Sequence, residues 1–80
     1  MEITYTSHQK DILKMLLNED LIMFTRNSYH VVSELYGLGL ELNELTFNKL
    51  LNTGVIERKE KRENKTFYRI SEKGKKLFDK

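Results

Sequence analysis

The 80-residue sequence contains no cysteine, no proline, no tryptophan and no alanine. Without cysteine there is no disulfide staple, no thiolate metal site and no cysteine nucleophile. The longest uninterrupted apolar run, residues 21–24, falls far short of the roughly 18 residues that span a bilayer. The amino terminus lacks a basic segment followed by an apolar one, so neither membrane insertion nor secretion is signalled and the cytoplasm is the default compartment. The missing Ala and Pro, beside ten Lys, six Asn and five Ile, suggest an AT-rich coding sequence, as in a low-GC prokaryote or its phage.

Groups that carry catalysis are equally scarce. His8 and His30 are the only imidazoles, and neither stands in a metal-ligand spacing. No glycine-rich phosphate loop, nucleophile elbow or paired-carboxylate motif accompanies them. The expectation is a protein that is not an enzyme and holds no cofactor and no metal.

What is present suffices for one folded domain spanning 1–80. Leu, Ile, Val and Phe supply 24 positions, too many for the compositional signature of disorder. A chain of this length buries only about 60–65% of its unfolded surface, so nearly every large apolar residue is needed for the core and little is left to enclose an active site. Charge is unevenly spread. Residues 1–53 hold four bases against seven acids (net −3), whereas residues 54–80 hold ten bases against five acids (net +5). Such asymmetry points to one face that meets an anionic partner, nucleic acid being the first candidate.

Periodicity divides the chain into short elements. Ser7 can cap a helix over about 8–18, with Ile12, Leu13, Leu16 and Leu17 on its apolar side. The run 21–24 reads as a short buried strand or as a continuation of that helix, and its length favours the strand. Asn27 and Ser28 offer a second helix start, and Tyr29, Val31, Val32, Leu35 and Tyr36 fit a helix over about 28–36, which Gly37 and Gly39 would end. A third helix is expected over about 42–53, with Gly54 as its carboxy-terminal cap. Asn43, Phe47, Leu50 and Leu51 should face the core, leaving Glu41, Glu44, Leu45, Asn48, Lys49 and Asn52 outward. Beyond Gly54 the period shortens. Residues 55–59 and 66–70 read as strands of a hairpin with a long charged connection at 60–65, with Tyr68 and Ile70 inward and Phe67 and Arg69 outward. Ser71 should cap a last helix over about 72–79, in which Leu77 and Phe78 dock while Lys73, Lys75, Lys76 and Lys80 stay in water.

Two sets of residues carry a resemblance to a known family. Gly37-Leu38 and Gly54-Val55-Ile56 stand 17 residues apart, glycine to glycine. Tyr68-Arg69-Ile70-Ser71-Glu72-Lys73-Gly74 is followed by Leu77. In this order they resemble the winged helix-turn-helix DNA-binding domains of small regulators in bacteria, archaea and phages, over residues 8–79. The resemblance implies an α+β winged helix-turn-helix fold: a three-helix core, a two-stranded β-hairpin wing over 55–70 and a short carboxy-terminal helix. It further implies sequence-specific binding of double-stranded DNA by a transcription regulator, with helix 42–53 in the major groove and the wing on flanking backbone or minor groove.

The residues expected to touch DNA follow from that placement. On the third helix they are Asn48, Lys49 and Asn52, since an Asn amide can bond both N6 and N7 of adenine and a Lys can reach guanine or a phosphate. On the wing they are Arg58, Lys59, Lys61, Arg62 and Lys65; five phosphate contacts there would give a salt slope near −4.5, about −0.9 per contact. Glu41 and Glu44 oppose this reading, because carboxylates at the amino-terminal end of a reading helix are repelled by phosphates. Pairing into a homodimer would double the contacted site, with Leu45, Phe67 or residues 2–6 supplying the interface. The alternative function is a winged-helix adaptor that binds a protein partner and no DNA.

Overall fold

A computed structural model of the protein describes residues 4–33 and 37–78. Helix α1 (Ser7–Leu17) opens on a capping box: the Gln9 amide donates to Thr6 Oγ1 and the Thr6 amide donates to Gln9 Oε1. The cap is therefore Thr6, one residue before the expected Ser7. Strands β1 (Leu21–Thr25), β2 (Ser28–Ser33) and β3 (Gly37–Leu42) follow, then helix α2 (Glu44–Asn52), strands β4 (Ile56–Arg62) and β5 (Lys65–Ile70), and helix α3 (Glu72–Lys76). The five strands form one antiparallel sheet in the order β3-β2-β1-β5-β4.

This architecture overturns the expected fold class. The chain is α+β, but it has no three-helix core with a two-stranded wing; the segment expected as the second helix, 28–36, is strand β2 as far as Ser33, and 34–36 lie outside the described residues. The cause is local. Arg26 and Asn27 both have positive φ, 49° and 62°, and form a two-residue hairpin turn that sets Thr25 opposite Ser28. Asn27 thus makes a turn where a helix start was expected. Past it the side chains alternate between the two sides of the sheet, Tyr29 and Val31 toward the helices and His30 and Val32 away, and aromatic and β-branched residues of this kind suit a pleated surface. Gly37, with φ of 71°, begins β3 and does not end a helix.

Three smaller expectations are also corrected. The third helix starts at Glu44, because Asn43 caps it by accepting the Thr46 amide at 2.7 Å, while Leu42 and Glu41 belong to β3. The buried positions of α2 are accordingly Thr46, Phe47 and Leu50, with Asn43 exposed. The hairpin has no long connection: β4 and β5 continue to Arg62 and Lys65 around the two residues Glu63 and Asn64, and Glu63 takes a φ of 50°. Helix α3 ends at Lys76, with Leu77 45% exposed and not docked, and Phe78 partly buried against the core; residues 79 and 80 lie outside the description.

One side of the sheet is covered. Ile12, Leu13 and Leu16 of α1, and Phe47 and Leu50 of α2, form the core with Ile22, Val31, Leu42, Ile56 and Ile70. Aromatic rings clip α2 to the strands: Phe24 lies 4.7 Å from Tyr29, Tyr29 stacks on Phe47 at 4.0 Å, and Phe47 meets Tyr68 edge-on at 4.8 Å. The end of α2 is tied to α3 by hydrogen bonds. Ser71 Oγ donates to the Gly54 carbonyl and accepts the Gly74 amide, and the Ser71 amide donates to the Val55 carbonyl. The motif fragments around Gly54 and Ser71 therefore meet directly.

Candidate nucleic-acid interface

The outward side of α2 follows from its buried side. With Thr46, Phe47 and Leu50 inward, an advance of about 100° per residue sets Leu45, Asn48 and Asn52 on the opposite arc. Leu45 is 82% exposed, Asn52 is exposed and Asn48 is partly so. Lys49 sits on the flank of that arc. Its Nζ donates to the Thr4 carbonyl and stands 5.1 Å from the centre of the Tyr5 ring, so the amino-terminal segment holds it beside the helix.

Cross-strand register sorts the charges of the hairpin between the two sides of the sheet. Arg58 is opposite Tyr68, whose ring touches Phe47 of α2, so Arg58 stands on the helix-bearing side. Lys61 is opposite Thr66, which pairs with Phe24 on that same side. A bulge between Arg58 and Glu60 inserts Lys59 and shifts the alternation. Glu60, opposite Phe67, then faces away from the helices, as do Arg62 and Lys65, which pair with each other across the strands.

Ion pairing separates the five bases further. Arg62 Nε is 2.6 Å from Glu60 Oε2, and Lys59 Nζ is 3.7 Å from Glu60 Oε1. The Arg62 hydrogen bond, with the charges of Arg62 and Lys59, holds the Glu60 carboxyl below the usual carboxylate range. Arg58, Lys61 and Lys65 have no ion pair among the described residues. Of the eight residues expected to meet DNA, Asn48, Asn52, Arg58 and Lys61 thus share one side. Lys65 stands at the hairpin end, and Lys49, Lys59 and Arg62 are engaged within the chain.

The two opposing carboxylates part company. Glu41 lies in β3 opposite His30, with its Oε2 4.0 Å from His30 Nε2, on the side away from the helices. Glu44 alone remains, exposed, in the first turn of α2. Nearby, burial raises the Tyr29 hydroxyl above its ordinary pKa, with further contributions from Glu44 and Tyr68. No group of three or more His, Asp or Glu among the described residues is arranged to hold a metal ion. No helix among them is long and apolar enough to cross a membrane.

Sequence reasoning missed the uncovered side of the sheet as a surface. Leu21, Met23, Val32 and Phe67 stand there, partly exposed, and of these only Phe67 was expected outward. The signal was the run 21–24, apolar at four successive positions: a strand apolar at every position presents apolar side chains to both faces.

Comparison with protein-family models, with curated proteins and with solved structures returns no match. None of the three identifies a winged helix-turn-helix domain, and Gly37 does not hold the helix-ending place that the resemblance gave it.

Proposed function

We propose that the chain binds double-stranded DNA through its helix-bearing side, reading sequence with α2 and acting as a small regulator of transcription. The observation that carries this reading is the sharing of one side of the sheet by the outward residues of α2 and by Arg58 and Lys61, cations with no carboxylate partner among the described residues. Asn48 and Asn52 are four apart on a helix and so point the same way, each able to bond N6 and N7 of an adenine. Leu45 beside them contacts a thymine methyl group in this reading. Arg58 and Lys61 are the phosphate contacts on that side, and Lys65 reaches a phosphate from the end of the hairpin; such contacts position the helix without reading sequence.

Three unpaired cations imply a weaker salt dependence than five. Fluorescence anisotropy with a labelled duplex of random sequence should give a slope of log affinity against log salt near −2.7, at about −0.9 per contact. The variant R58A/K61A/K65A should lose most of that slope and most of the affinity. A parent that fails to bind duplex DNA at low salt, or a variant that binds as tightly as the parent, would refute the proposal.

A second reading, a module that binds another protein, draws on Leu45. An 82% exposed leucine on the outward arc is an apolar anchor of the kind found at protein interfaces. Under that reading R58A/K61A/K65A is silent and Leu45→Asp abolishes partner binding; under the DNA reading Leu45→Asp weakens duplex binding.

A further inference from the structure

The side of the sheet turned away from the helices carries a continuous apolar strip. Leu21 is paired across the strands with Val32, and Met23 with Phe67, and all four are partly exposed. Where this strip meets the ends of α1 and α3, a groove of about 550 Å³ opens, with Leu21, Val32 and Phe67 in its lining and Leu17 at the end of α1. The buried residues of α1 and α2 join the core on the opposite side.

We propose that two copies of the chain pair through this side, sheet against sheet, around a two-fold axis running along the groove. Charge on the groove selects the occupant. Glu19 and Asp20 enter from the connection into β1, and Lys59, Arg69 and Lys75 from β4, β5 and α3. Acids therefore lie toward the β1 side and bases toward the β5–β4 side. A two-fold axis lying between two such sides and running along the strands, between the acids and the bases, sets the acids of one copy over the bases of the other, at both seams at once. The apolar strips then close on each other at the roughly 10 Å spacing of packed sheets.

Other occupants fit less well. An anionic ligand meets Glu19 and Asp20, which line the same groove and repel it. Glu19 and Asp20 have no ion pair among the described residues, so the occupant must bring cations as well as apolar surface. Growth of the sheet at its edges is obstructed on both sides. Strand β3 is bulged at Gly39 and Leu40, where two residues face Val31, and β4 is bulged at Lys59 and is charged at every position from Glu57 to Arg62. This pairing uses the side opposite α2 and does not depend on the DNA reading.

Sedimentation equilibrium of the full chain over a concentration series tests the proposal. The parent should run as a dimer at high concentration and dissociate on dilution. Phe67→Glu, which sets a carboxylate in the middle of the strip, should be a monomer with an unchanged far-UV circular dichroism spectrum. E19K/D20K and K59E/K75E should each weaken self-association at least about tenfold, because each confronts like charges at both seams. An equimolar mixture of these two variants should restore the dimer, since both seams become complementary again. Leu45→Asp, on the other side, should leave the dimer intact. A parent that remains monomeric at every concentration would overturn the proposal, as would a mixture that associates no better than its components.

Discussion

Gly74→Ala is the substitution whose cost the structure fixes most closely. A Cβ at position 74 would lie 2.3 Å from the Val55 carbonyl oxygen and 2.7 Å from Ile70 Cγ1, against the 3.4 Å or more of ordinary contact. Relief requires a shift of about 1 Å between α3 and the segment after α2. The Val55 oxygen cannot retreat freely, because it accepts the Ser71 amide at 2.9 Å, and Ser71 in turn holds the Gly54 carbonyl. Overpacking of this kind costs about 1–3 kcal/mol. The helix preference of Ala over Gly returns at most about 1 kcal/mol, and α3 is only five residues long. The net effect is a destabilisation of about 1–2 kcal/mol, which in a domain of this size lowers Tm by about 5–15 °C. Thermal unfolding followed by circular dichroism measures it, with Lys76→Ala, an exposed neighbour, expected to stay within about 0.5 kcal/mol of the parent. A Gly74→Ala protein as stable as the parent, or more stable by the propensity difference, would refute the close approach of α3 to the Val55 carbonyl.

Other consequences concern single bonds and torsions. Ser71→Ala removes a helix cap and the link to Gly54 together, and should cost about 1–2 kcal/mol in urea unfolding. Arg26→Gly relieves a non-glycine residue at positive φ in the β1–β2 turn and should stabilise by up to about 1 kcal/mol; a helix at 28–36 would gain nothing from it. The Tyr29 hydroxyl is held neutral in the folded chain above its ordinary pKa, so its contribution is complete below about pH 10 and is lost as pH rises through the folded value. Tyr29→Phe should therefore lose less stability than the parent in alkaline titration, and identical alkaline curves would contradict the raised pKa. The Glu60 carboxyl has the opposite sign: its contribution is present above the ordinary carboxylate pKa and disappears as pH falls through the lowered one. Any stability difference between the parent and Glu60→Gln should accordingly vanish at low pH.

Much of this fold is written in local pattern. The apolar spacing of Ile12, Leu13 and Leu16 marks α1, Phe47 and Leu50 mark α2, and the alternation of Tyr68 and Ile70 marks β5. The cap at Gly54, the Ser71 cap and the small residue at 74 are equally legible, because a positive φ of 80°, a free amide and a close approach each demand a particular side chain. Residues 28–33 are ambiguous, since Tyr29, Val31 and Val32 satisfy a helical and a strand period alike. Arg26 and Asn27 decide the matter by adopting a turn conformation, and Arg26 gives no sign of it. That single choice exchanges a three-helix core for a five-stranded sheet.

The candidate interface is legible to a similar degree. Helical geometry alone places Leu45, Asn48 and Asn52 outward on α2. The state of each base is not local. Glu60 engages both Lys59 and Arg62 because the bulge at Lys59 resets the strand, and Lys49 is held by a carbonyl 45 residues earlier. Register and long-range contact decide which of these cations is spare, and neither is visible in a run of charged residues.

Amide chemical-shift mapping of the isotope-labelled chain, titrated with a short DNA duplex at low salt, tests the functional account most directly. Perturbations concentrated on Leu45, Asn48 and Asn52 and on the segment from Arg58 to Lys65, with Leu21, Val32 and Phe67 undisturbed, are the predicted result. Perturbations centred on the uncovered side of the sheet, or none at all, would contradict it.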